Sequence, residues 1–249
     1  MAVRIVNPDP RFSSVALIEP TPFGYIHIAA SVRPGPLPFV LRGRREAEFL
    51  GQLKTLARQL EALDSVLKAT VYHARAIAPL SPYLKSRLGS IHVARFDVVV
   101  LVETTSPATA REVQNVPAYQ ALLDAIKAAA TAVHVMLARN IKRIADVDRS
   151  RPGVFLFNYF VGDDPGVVID LWDYLAGWYA VETGLDNSIL LAPFEGERAD
   201  YVIVNHARWE GSLLSVLVSQ FTKRSFRSYV LGNLEANRVG AMPVLYRLA

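Results

Sequence analysis

The order of secondary-structure signals in this chain repeats once, and that repetition restricts the folds open to it more than any single motif does. Gly24 to Val32 (GYIHIAASV) reads as a strand, closed by the proline and glycine cluster Pro34 to Pro38. From Arg44 to Asp64, Phe49, Leu53, Leu56, Leu60 and Leu63 recur at three- and four-residue spacing with charges between them, which predicts an amphipathic helix. Leu67 to Ile77 reads as a strand, Pro79 to Gly89 as a loop with two prolines, and His92 to Glu103 as a strand. Pro107 to Ala130 carries helical signals interrupted near Pro117, and Val133 to Ile144 reads as the fourth strand.

The same order returns after the charged, proline-containing stretch Asp146 to Pro152, which reads as a linker. Gly153 to Val161 (GVFLFNYFV) is an aromatic and β-branched strand. Asp164 and Pro165 supply an N-cap and a favoured first helical residue, and Gly184 a C-terminal stop. The helix between them carries Val168, Leu171, Trp172, Leu175, Trp178 and Tyr179 on its apolar face. Ile189 to Ala192 and Tyr201 to Ala207 follow as strands joined by PFEGERA, then a helical region over Ser212 to Asn233 and a last strand, Ala241 to Leu248. The expected organisation is an irregular segment over residues 1–20, a first β-α-β-β-α-β unit over 21–147 and a second over 153–249. Val154 to Phe160 is apolar on both alternating faces, so both sides of its sheet must be covered. The helices cover one side, and the sheet of the other unit can cover the second.

Composition narrows the function. The 27 Lys and Arg against 23 Asp and Glu leave a charge of +4 with signs interspersed, too mild to imply nucleic acid. With no cysteine, disulfides, thiolate metal sites and cysteine nucleophiles are excluded. Met1 to Pro20 lacks the apolar run of a signal peptide, and no apolar stretch reaches the ~20 residues that span a bilayer. A cytoplasmic protein that does not cross a membrane is expected.

The run DLWDYLAGWYAVETGLDNSILLAPFEGERADYVIVNHARW, Asp170 to Trp209, resembles the helix and hairpin of small antibiotic-biosynthesis-type monooxygenases, and covers about a sixth of the chain. With the doubled order, it makes the whole similar to the dimeric α+β barrel superfamily. That resemblance implies an α+β fold, two ferredoxin-like units packed sheet to sheet as an intramolecular barrel. Relatives of this kind include cofactor-free oxygenases, haem proteins similar to chlorite dismutase, and non-catalytic proteins, and fold does not select among them. The resemblance places haem ligands on helical segments, whereas His27, His73, His92, His134 and His206 all fall on predicted strands, so no haem is expected. A three-histidine metal site is disfavoured too: His73, His92 and His134 fall toward one end of the first sheet and His27 toward the other. No metal and no cofactor are expected.

The densest polar cluster is Asn205-His206-Ala207-Arg208-Trp209. Alternation puts Asn205 and Trp209 on one face of the strand and His206 and Arg208 on the other. With Asn158 on the first strand of the same unit, His206 and Asn205 are candidate catalytic residues in an apolar pocket. Trp209, Trp178 and Arg208 are candidate ligand-binding residues. The same side chains are also read as local hydrogen bonding, packing and ion pairing, the commoner role for such residues. Two functions stay open, with a haem protein similar to chlorite dismutase as a third, less favoured one. One is a small-molecule-binding barrel acting as a cofactor-free monooxygenase on an apolar or aromatic substrate. The other is a non-catalytic binding or assembly protein, for which aromatic residues on exposed strand faces would favour a homo-oligomer.

Overall fold

The computed structural model describes residues 2–33, 39–40, 43–197 and 199–249. The cluster expected to end the first strand, Pro34 to Pro38, lies outside the described residues, as does Arg198 in the PFEGERA turn. The described residues form eight strands: β1 (Gly24–Ser31), β2 (Val66–Ile77), β3 (Val98–Thr104), β4 (Ala132–Ala145), β5 (Val154–Val161), β6 (Ser188–Pro193), β7 (Ile203–Trp209) and β8 (Gly240–Leu248). They close into one antiparallel barrel in the order β1-β3-β2-β8-β5-β7-β6-β4. Within it, β4-β1-β3-β2 and β8-β5-β7-β6 are the two ferredoxin-like sheets. They meet at two seams, β2 against β8 and β4 against β6. Three of the four breaks in strand register fall on those seams, between Ala74 and Ala76, Asn140 and Lys142, and Arg143 and Ala145. An extra residue on one strand sharpens its bend, which is what a sheet turning into a barrel requires.

Helices cover the outside. In the first unit α1 (Arg44–Glu61) packs Leu50, Leu53, Ala57 and Leu60 over β1 to β4. α3 (Pro107–Val113) and α4 (Pro117–Ala129) share that face, divided where Pro117 starts a new first turn. In the second unit α5 (Pro165–Thr183) runs over the outer face of β5, β6 and β7. Its ends follow from the sequence. Asp164 accepts the Gly166 and Val167 amides at 2.9 and 3.3 Å, and Gly184 takes the left-handed conformation at φ 67°. Among the described residues no helix is long and apolar enough to cross a membrane.

Three elements differ from the sequence reading. The expected loop over Pro79 to Gly89 holds a short helix, α2 (Pro82–Ser86), because Ser81 caps it through the Leu84 amide and Pro82 fits its first position. The third strand starts at Val98 rather than His92. Asp97 turns the chain there by accepting the Val32 and Arg33 amides, both at 2.6 Å, so residues 92–96 cross the end of the barrel instead of joining it. The helical region Ser212 to Asn233 is divided into α6 (Leu213–Phe221), a π-helical turn (Phe226–Leu231) and α7 (Gly232–Ala236).

The N-terminal segment is tied to the second unit. Phe12 packs edge-on against Trp178 and Tyr229, and Asn233 Oδ1 accepts the Val6 amide at 2.7 Å. This close approach is possible because residue 177 is glycine: a Cβ there would collide with the carbonyl of Ser13. Gly177→Ala is therefore expected to lower stability by about 1–3 kcal/mol, the usual range for overpacking. Limited proteolysis should then release the first ~15 residues, whereas wild type resists; an unchanged denaturation midpoint would show that the segment does not dock.

Candidate active site

Alternation along the strands sends one set of side chains into the barrel and the other set under the helices. Inside are Tyr25 and His27 from β1, Tyr72 from β2, Met136 from β4, Phe155, Phe157 and Tyr159 from β5, His206 from β7 and Tyr246 from β8. The interior is thus a stack of rings crossed by hydrogen bonds. On the same strands, Leu156, Phe160, Ile203 and Ala207 face the helices.

This parity separates the candidate residues named from sequence. Asn158 and Asn205 are cross-strand partners on the outer, helix-facing side, while His206 points into the barrel. Asn205 Oδ1 accepts a hydrogen bond from Ser188 Oγ at 2.5 Å, and Asn158 Oδ1 has no partner among the described residues. Trp209 and Trp178 also lie outside, donating to Thr183 Oγ1 and Ser225 Oγ, both at 3.0 Å. Arg208 is buried at the rim, where it donates to the Pro152 carbonyl at 2.8 Å and pairs with Glu210 at 3.5 Å. The six side chains do not converge on one pocket.

His206 is fully engaged. One ring nitrogen, Nδ1, lies 3.0 Å from the Leu156 carbonyl, which can only accept, so Nδ1 carries the proton. Nε2 is then a lone pair, and the Tyr72 hydroxyl donates to it at 3.2 Å. Phe157 stacks on the imidazole at 4.2 Å and 10°. Burial, with a smaller contribution from the Arg149 charge, lowers its pKa to about 3, so the ring is neutral at pH 7.

Two buried polar atoms without a partner among the described residues lie close together toward the other end of the barrel. His134, on β4, sits beside Tyr201, with ring centroids 4.9 Å apart. His134 Nδ1 and Tyr201 Oη are both buried and have no hydrogen-bond partner among the described residues. The other nitrogen of His134 is 3.7 Å from Asp200 Oδ2, the oxygen that His92 Nδ1 approaches at 2.9 Å. His92 and Asp200 are partly exposed. Deeper in, His27 lies 6.5 Å from His134, its Nε2 3.3 Å from the Tyr159 hydroxyl and its Nδ1 unpartnered. Burial lowers the pKa of His27 and of His134 and raises that of Tyr201. The imidazoles therefore stay neutral bases and the phenol stays a donor. A cavity of about 180 Å³ lies between Gln114, with Val135 and Leu137 on the helix-facing side of β4, and Pro193, Glu197 and Ala199 of the β6–β7 turn, and none of the clustered side chains lines it.

Sequence reasoning put His27 at the opposite end of the sheet from His134. The β1–β4 register pairs Ala29 with His134, which leaves His27 only two residues away along β1, on the same inward face. His92 is not on a strand, and Asp200 and Tyr201 come from the turn before β7. The inward parity shared by Tyr25 and His27, and by His134 and Met136, was the one signal for this cluster. At the far end of the barrel the linker contributes a plug: Arg149 is buried and ion-paired with Glu103.

The backbone is similar to solved structures of the same fold. An anthrone oxidase-like protein matches with a TM-score of 0.61 at 12% identity, over 91% of each chain. A protein of Fusobacterium nucleatum named "putative monooxygenase" matches at 0.54 and 8% identity, over 93% of this chain and 94% of that one. A protein named "putative chlorite dismutase" matches at 0.50 and 10% identity, over 91% and 94%. At these identities the likeness is one of fold, the dimeric α+β barrel, here completed within a single chain. No protein-family model and no curated protein sequence matches the chain.

The buried histidines set the acid response. Above pH 6.5 His206 is neutral in both folded and unfolded chains. Between 6.5 and about 3 the unfolded chain takes up a proton that the folded one refuses, so stability falls with pH. The expected loss is about 1.4 kcal/mol per pH unit for this residue. Glutamine can both donate to Leu156 and accept from Tyr72 without titrating. Urea denaturation from pH 7 to 4 should therefore show a shallower pH slope for His206→Gln than for wild type, and equal slopes would contradict the assignment. Tyr72→Phe strands the Nε2 lone pair and should cost about 1–3 kcal/mol at pH 7.

Proposed function

We propose that this protein binds a small apolar or aromatic molecule at the His134 end of the barrel and oxidises it with dioxygen as a cofactor-free monooxygenase. One observation carries the reading: a buried, neutral acceptor, His134 Nδ1, and a buried donor, Tyr201 Oη, stand side by side without partners among the described residues. Leaving such atoms unpaired costs free energy that a bound ligand would recover. Their chemistry also suits the reaction. A ring-activated methylene loses its proton to His134, and the Tyr201 hydroxyl donates to the oxyanion that forms on the ring. The carbanion passes one electron to dioxygen, the radical pair joins at carbon, and protonation gives a hydroperoxide. Loss of water leaves a ketone, so one dioxygen supplies one carbonyl oxygen and one water.

The proposal includes no haem and no metal. Axial ligation needs a free imidazole nitrogen facing a pocket. Both nitrogens of His206 are engaged, and His27 is enclosed by Phe157 and Tyr159. His134 Nδ1 has no partner among the described residues, and the proposal gives it to the substrate as a base rather than to iron. Titration with haemin should give no shifted Soret band; a stoichiometric shift would overturn this part. A second reading, a non-catalytic binding or assembly protein, is favoured by the close ring packing around His206 and by Leu214 and Val218, exposed together on α6.

Anthrone, the compound in the name of one structural neighbour, is a suitable probe. Oxygen uptake with ketone formation is expected in the wild type. His134→Gln should lose about 10²-fold or more, the range for removing a general base, and Tyr201→Phe a smaller amount. No turnover by wild type, or full turnover by His134→Gln, would favour the second reading.

A further inference from the structure

A second cavity, of about 410 Å³, opens at the same end of the barrel but on the other side of the 92–96 segment. Its floor is apolar, formed by Ile77, Ala94 and Met242, all buried. Leu80, Val93 and Leu88 rise around it, and Leu88 is 54% exposed. A large apolar side chain left in water beside an apolar floor gains by being covered. The walls are also held in place: the Ala94 amide lies 3.4 Å from Met242 Sδ, and the Arg95 carbonyl accepts Ser31 Oγ at 2.8 Å.

Among the described residues two cations line this groove, Lys85 from α2 and Arg95 from the crossing segment, and no acidic residue does. Neither makes an ion pair among the described residues, although Arg87, two residues from Lys85, is paired with Asp163 at 3.1 Å. An apolar floor with two uncompensated positive charges on its walls is complementary to one kind of small molecule. We infer that the groove binds an amphipathic anion, a ring or short alkyl chain bearing a carboxylate. The apolar part lies against Leu80, Leu88 and Val93, and the carboxylate lies between Lys85 and Arg95. Arginine offers a carboxylate a planar pair of donors. This site is distinct from the His134–Tyr201 cluster and does not depend on the oxidation proposed there.

The test uses the whole protein with 2-naphthoate and its uncharged counterpart 2-naphthylmethanol, titrated by calorimetry. Naphthoate should bind a site that added anthrone does not compete for, more weakly as salt is raised, and the alcohol should bind that site about tenfold less tightly. Lys85→Gln/Arg95→Gln should reduce naphthoate affinity about tenfold and leave the alcohol unchanged. Leu88→Asp, at an exposed position that folding tolerates, should abolish naphthoate binding, and His134→Gln should leave it intact. The inference is overturned if naphthoate does not bind at millimolar concentration, or if the alcohol binds equally. It is also overturned if the double variant retains wild-type affinity, or if His134→Gln rather than Leu88→Asp removes the site.

Discussion

The two seams, β2 against β8 and β4 against β6, carry the rest of the structure. A lone four-stranded sheet of the first unit would leave Tyr25, His27 and Tyr72 in water, and one of the second would leave Phe155, Phe157, Tyr159 and Tyr246 there. Joined edge to edge, the sheets bury both ring-bearing faces against each other and leave no free strand edge, which is why the barrel closes. The same closure puts three histidines where water cannot solvate a charge. Every property argued for the interior, from the neutral imidazoles to the protonated phenols, follows from that enclosure.

Enclosure makes hydrogen-bond satisfaction the difference between the interior histidines. His206 has a donor for its lone pair and an acceptor for its proton, and it is clamped by Phe157, so it behaves as a core residue that happens to be polar. His134 and Tyr201 are buried nearer one end of the barrel, and each keeps an atom without a partner among the described residues, beside the partly exposed His92 and Asp200. Polar atoms in this state are destabilising unless something fills the place beside them. That contrast, rather than the number of polar residues along a strand, directs attention to the end of the barrel where β4 of the first unit meets the turn before β7 of the second.

Much of the fold was legible because it rests on local signals. The doubled strand and helix order, the α5 caps at Asp164 and Gly184, and the break at Pro117 are each written in neighbouring residues. The site was less legible because it is a property of pairing. Alternation correctly separated Asn205 from His206, but nothing local says which parity of β7 faces inward. The approach of His27 to His134 depends on the β1–β4 register, and Asp200 and Tyr201 arrive from a turn. Arg149 sits in a stretch that reads as linker, and its burial against Glu103 depends on a barrel end that only closure creates. The polar density of residues 205–209 drew attention to the strand whose histidine is already satisfied.

The central claim, that His134 is the open histidine of this barrel and His206 the closed one, is tested most directly by nitrogen-15 NMR of the imidazoles with and without anthrone. The account expects His206 to show a neutral ring protonated at Nδ1, unchanged from pH 8 to 5 and unmoved by ligand. It expects the Nδ1 resonance of His134 to shift when ligand is added. A ligand-dependent shift at His206 with none at His134 would contradict it.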